Sequence, residues 1–307
     1  MAWVIALGCL ITNVWASDAC SLFMQRSDWS RRCRRRLRAS LVEVSSSGDW
    51  NAAGMWTHPL LPPTALSACL KNKTIFFAGD SHLRMVVLGL IENLTSTVQD
   101  LYIDSRDNKL SGCGGRDGFD IKECGWPRSK RWVLNASGNL TEEIKILQPV
   151  DVMSAPRLQD EEWRTVFQFK TFVSTPLVDA SIMEQLRVYS ADLLVLETGP
   201  WGWVPYDGLN YSAQATRFLQ TVLRGFKGPV VWLLDGQQDN MDELRAVLAR
   251  FPDVLVFDRT RSIVRGLLWQ LPSYHVHGYA GPIATTHGLQ LLTWACTYEA
   301  HSYSRSI

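Results

Sequence analysis

Net charge is what this chain most lacks. Thirty-one Lys and Arg stand against 30 Asp and Glu, leaving +1. No overall field therefore recruits nucleic acid or a strongly acidic substrate. Metal-ligand spacing is also missing: the seven cysteines and six histidines form no Cys-x-x-Cys pair and no His/Cys ligand pattern, which argues against a zinc framework. The apolar stretch at residues 2–16 is too short for a comfortable membrane span and carries no basic segment ahead of it. What is present is a large apolar content. At 307 residues and 46% hydrophobic, the chain can bury one large α/β core, or two smaller ones, and is not a disordered sequence. Thirteen tryptophans are many for this length; each is first a core residue, and any exposed ones would suit stacking on sugar rings.

Residues 2–16 end in Val14-x-Ala16, a small-residue pattern that signal peptidase would cut before Ser17. An uncut segment would instead associate the N-terminus with a membrane, and Arg26, Arg31, Arg32, Arg34, Arg35, Arg36 and Arg38 would then tend to stay cytoplasmic. Sequons favour the first reading. Five of nine asparagines (Asn72, Asn93, Asn135, Asn139 and Asn210) stand in Asn-x-Ser/Thr, where chance would give roughly one. Without Cys9, the cysteines Cys20, Cys33, Cys69, Cys113, Cys124 and Cys296 are even in number and suit three disulfides of open connectivity. The expected destination is the secretory pathway, either the Golgi lumen or the exterior. The expected organisation is a signal peptide at 1–16, a basic and Pro/Ser/Gly-rich arm at 17–64, and one domain at 65–300. The arginine cluster at 26–38 reads as a solvated basic helix, a processing site, or an anchor for acidic glycans or phospholipid head groups.

The chain is organised around Thr74-Ile75-Phe76-Phe77-Ala78-Gly79-Asp80-Ser81-His82-Leu83-Arg84. The apolar run before Gly79 suits a strand buried on both faces, as in a parallel sheet. Leu83, Val86, Val87, Leu90 and Ile91 then follow the helical period. A serine at such a junction lies beside helix N–H groups able to stabilise an oxyanion; the other reading is that Ser81 or Asp80 simply caps the helix.

Gly79, Asp80, Ser81 and Arg84 together spell Gly-Asp-Ser-x-x-Arg after a strand. In this the chain resembles the GDSL/SGNH hydrolase superfamily, and within it the branch of trichome birefringence-like O-acetyltransferases and PC-esterase domains. The resemblance implies a three-layer αβα sandwich with a central parallel sheet, flavodoxin-like, carrying a large loop and strand insertion. It also implies a serine O-acyltransferase or esterase acting on glycans, with an acyl donor, no cofactor and no metal. Ser81 would be the nucleophile. Gly112, Gly114 or Gly115 would supply an oxyanion N–H, and Gly199 and Trp201 would line the pocket. In the family, Asp-x-x-His precedes a C-terminal Leu-Leu helix; here His277 matches the histidine while Tyr274 holds the aspartate position. Asp258 or a backbone carbonyl would then orient His277, or His275 would be the base. The superfamily's oxyanion asparagine is replaced around Thr198 and Pro200. These departures carry the alternative: a catalytically decayed SGNH-fold protein that binds glycans or another partner.

The remaining chain alternates. Helices are expected at 178–190, 212–225 and 241–250, and strands at 192–197, 230–235 and 254–258. This order predicts a parallel sheet with right-handed crossovers. Residues 100–175, with strand-like pieces at 131–134 and 165–169, read as an insertion over the carboxyl edge of the sheet. Asp235 and Asp258 end strands on that edge.

Overall fold

The computed structural model describes residues 20–46, 60–79, 81–95, 129–146, 157–159, 161–169, 176–197, 210–234, 241–258 and 282–303. Their strands follow the apolar runs. Thr74–Gly79 (β1), Leu193–Leu196 (β5) and Val230–Leu234 (β6) are buried at every position, as strands covered on both faces must be. Ser129–Asn135 (β2), Leu140–Ile146 (β3), Glu162–Phe169 (β4) and Val254–Asp258 (β7) complete one sheet of order β3-β2-β4-β1-β5-β6-β7. The five strands β4, β1, β5, β6 and β7 run parallel, and the β2–β3 hairpin adds to the β4 edge in antiparallel register.

Helices cover both faces. Phe77 and Ile75 face a layer holding Arg31–Ser46 (α1), Pro63–Cys69 (α2), Ser81–Thr95 (α3) and Pro282–Tyr303 (α7). Phe76 and Ala78, one residue out of phase, face Pro176–Val188 (α4), Tyr211–Gly225 (α5) and Met241–Ala249 (α6), as the two-residue period of a strand requires. The chain is thus a three-layer αβα sandwich. Its parallel strands have the 2-1-3-4-5 order of flavodoxin-like folds.

Two stretches are placed differently from the sequence reading. The described strands of 100–175 lie in the sheet itself: β4 is the parallel neighbour of β1, pairing Phe76 with Val166, and β2 and β3 extend the same edge. Residues 20–46, expected in an arm ahead of the domain, share its core through Leu22, Trp29, Cys33, Leu37 and Leu41. Their anchor is Arg26, which is buried. Its Nε donates to the Gly228 carbonyl at 2.7 Å, and its Nη2 donates to the carbonyls of Leu223, at 3.0 Å, and Phe226. Disulfides join Cys20 to Cys33 and Cys69 to Cys296; Cys113 and Cys124 lie outside the described residues. The tryptophans Trp132, Trp163, Trp232 and Trp294 are core residues. Among the described residues, no helix is long and apolar enough to cross a membrane.

Candidate active site

In a flavodoxin-like sheet the crevice for a ligand opens at the carboxyl edge, where successive crossovers leave in opposite directions. Here that switch point lies between β1 and β5. β1 ends at Gly79, and α3 begins at Ser81. The strand–turn–helix expected from the sequence is therefore present, with Ser81 in the first helical position at the switch point.

The junction is tight. A Cβ on Gly79 would stand 2.7 Å from Leu83 Cδ2, 2.9 Å from Leu83 Cβ and 2.8 Å from the Glu197 carbonyl oxygen. Only a residue without a side chain fits between the end of β5 and the first turn of α3. The Glu197 N–H donates to the Ala78 carbonyl at 3.1 Å, carrying the β1–β5 pairing one residue past β5.

The sequence reading placed Glu197 at the end of its strand and gave it no role. Its side chain is fully buried, and its Oε2 accepts from the Leu83 N–H at 3.2 Å. The first-turn N–H groups of a helix have no partner within the helix, and a carboxylate there is favoured by the helix dipole. Glu197 therefore caps α3 from the neighbouring strand. The signal was available in the sequence: an acidic residue directly follows the apolar run Leu193–Leu196 at a strand's carboxyl end.

Arg84 is half-buried and lies one turn after Ser81 on the α3 surface. Asp258 ends β7 on the same edge, three strands from β1, about 14 Å away at a strand spacing of ~4.8 Å. Its Oδ2 lies 3.3 Å from Arg245 Nη2, so strand order places it beside Arg245 and not beside Ser81. Asp80, Gly112, Gly114, Gly115, Gly199, Trp201, Tyr274, Asp235, His275 and His277 lie outside the described residues. The two ends of the histidine-bearing stretch 259–281 are placed. One is Asp258; the other is α7, which crosses α3 so closely that a side chain at Gly89 would collide with Thr285. His287, on α7, is buried with its ring edge-on to Phe257 at 6.3 Å between centroids.

A second polar cluster lies on the β2–β4 side of the sheet. Arg131 donates from Nε to Glu142 at 2.6 Å and from Nη1 to the Tyr189 hydroxyl at 3.3 Å. Arg131 and Arg164 both approach the Tyr189 ring. Burial opposes the charge on Arg131, but Glu142 and Tyr189 outweigh it and raise its pKa; burial, then the Arg131 charge, lowers that of Arg164. The four side chains knit the hairpin to the loop after α4.

The five sequon asparagines are all described. Asn72, Asn93, Asn139 and Asn210 are exposed and Asn135 is half-buried. Asn210 caps α5, its Oδ1 accepting from the Ala213 N–H at 2.9 Å. Among the described residues no group of three His, Cys, Asp or Glu side chains could hold a metal ion.

Fold and site together define an α/β sandwich with a serine opening the helix at its switch point. The chain matches no protein-family model, no curated protein and no solved structure.

Proposed function

We propose that the protein is a serine-dependent O-acyltransferase or esterase of the SGNH type, acting on glycans in the secretory pathway. The observation that carries this reading is the position of Ser81, first in α3 at the carboxyl end of β1 and next to the strand where the sheet order reverses. Ser81 Oγ attacks the carbonyl carbon of an acyl ester while His277 takes its proton. The tetrahedral intermediate collapses, and the donor's alcohol leaves with that proton. A sugar hydroxyl or water then attacks the acyl-enzyme, giving its own proton to His277, which returns it to Ser81 Oγ as the acyl–Oγ bond breaks and the new ester or free acid leaves. The N–H of Ser81 and that of a glycine among Gly112, Gly114 and Gly115 hold the oxyanion.

The role given to His277 is supported by its spacing: four residues separate it from Pro282, five residue steps that extend to at most ~17 Å, and α7 lies against α3. The secretory setting is supported by exposed sequons and by disulfides, which persist in oxidising compartments.

The test is intact-protein mass spectrometry of deglycosylated protein after exposure to a reactive acetyl ester. Wild type is expected to gain one acetyl group on Ser81, and Ser81→Ala and His277→Ala to gain none there. Equal labelling of all three overturns the acyl-enzyme. The second reading, a binding protein with a decayed site, is favoured by Tyr274 in the family's aspartate position. It expects glycan affinity unchanged by Ser81→Ala.

A further inference from the structure

Helix α1 divides its residues sharply. Cys33, Leu37 and Leu41 form a buried stripe in the core. On the outer surface Arg31, Arg32, Arg35 and Arg38 are exposed and Arg36 is half-buried. No acidic residue occurs between Trp29 and Val42. Arg34 pairs with Asp253 at 2.8 Å, and Arg38 donates to the Pro252 carbonyl. These two contacts fasten α1 to the turn before β7. Arg31, Arg35 and Arg36 make no ion pair to a described carboxylate. The helix is held rigidly by its core stripe and by the Cys20–Cys33 disulfide. Helix geometry places these arginines in two rows, Arg31–Arg35–Arg38 and Arg32–Arg36, with successive residues about 4.5–6 Å apart along the axis.

We propose that this outer face of α1 binds a linear sulfated polysaccharide. The guanidinium fork matches anionic oxygens bidentately, and two rows of positive charge along a helix complement a chain with repeated anions. A bilayer is a poorer match. An interfacial helix inserts an apolar face, and that of α1 is already spent on the core, leaving Val42 as the one large apolar side chain exposed among the described residues. Anionic lipid, moreover, is concentrated on the cytoplasmic leaflet, whereas a chain with two disulfides suits the opposite side. Nucleic acid is disfavoured by the same compartment argument. The surface is distinct from the Ser81 site: Pro252 and Asp253, to which α1 is fastened, precede β7 at the amino edge of the sheet, and Ser81 opens at the carboxyl edge. The proposal stands whether or not Ser81 is a nucleophile.

The experiment measures binding of the glycosylated, disulfide-bonded full chain to immobilised heparin oligosaccharide in physiological ~0.15 M salt. Chemically desulfated oligosaccharide serves as reference. Wild type is expected to bind the sulfated form only. A variant with Arg31→Gln, Arg32→Gln, Arg35→Gln and Arg36→Gln spares the two fastening arginines and is expected to melt as wild type does while losing about tenfold or more in affinity, in line with several exposed charge contacts of modest strength. Arg217→Gln with Arg224→Gln, on the exposed face of α5, is expected to bind as wild type. Equal binding by the quadruple variant, equal loss in the α5 variant, or no wild-type binding overturns the proposal. So does a preference for phosphatidylserine vesicles over the oligosaccharide, which assigns the face to lipid.

Discussion

Glu197 holds the first turn of the helix that begins at Ser81, its buried Oε2 accepting from the Leu83 N–H at 3.2 Å. Two strands that are distant in sequence are thereby tied to one junction: β1 leads into Ser81, and β5 delivers the group that steadies its helix. Glu197→Ala is expected to lower stability by about 1–3 kcal/mol, through loss of the cap and an orphaned N–H. Glu197→Gln keeps an acceptor and is expected to cost less. Urea midpoints of the three proteins at neutral pH check the order.

Gly79→Ala is expected to destabilise by about 1–3 kcal/mol, because the added Cβ meets Leu83 and the Glu197 carbonyl in a junction with little room to relax. If Ser81 acts as proposed, the same variant is expected to slow acetyl labelling with native-like circular dichroism. An unchanged urea midpoint would show that the junction is looser than its geometry indicates.

Asp192 supplies a pH dependence. Its Oδ2 accepts from the Thr74 N–H at 2.8 Å, and Lys73 lies 3.6 Å from its Oδ1. Burial nevertheless raises its pKa, against the lowering effects of the Thr74 N–H and Lys73. A carboxyl raised on folding is stabilising below its unfolded pKa, and that contribution is lost as pH rises through the folded one. Asp192→Asn keeps an acceptor for Thr74 and removes the titration. Between mildly acidic and neutral pH, wild type is expected to lose stability relative to Asp192→Asn; urea midpoints across that range, showing a constant difference, would refute this.

The two described disulfides differ in what they close. Cys69–Cys296 spans 227 residues and Cys20–Cys33 spans 13. By chain-entropy reasoning their contributions are about 5 and 3 kcal/mol. Replacing both cysteines of the long link by Ala is therefore expected to lower the urea midpoint further than the same change in the short one.

Much of this architecture is legible in the chain itself. β1, β5 and β6 stand out as short apolar runs because both faces are covered, and α3 shows its period at Leu83, Val86, Val87, Leu90 and Ile91, all buried. β3 is hidden because Thr141, Glu142 and Glu143 sit on an outer strand, where polar side chains are at home. The place of β4 beside β1 is also hidden, since strand order depends on contacts across some ninety residues that no local pattern encodes. In α1 the arginines dominate the composition, and only the four-residue spacing of Cys33, Leu37 and Leu41 discloses the buried stripe. At the site, the serine turn is legible from strand and period together. The role of Glu197 is not, because it depends on β5 lying next to β1.

The Cys69–Cys296 link has a consequence beyond stability. Cys69 lies just before β1 and Cys296 is in α7, so every strand of the sheet falls inside one covalent ring. A protease that cuts once in any connection between those cysteines opens the ring without dividing the molecule. Such a nicked protein would migrate as one species without reductant and as two fragments with it, and its sheet would retain all seven strands on a single covalent frame.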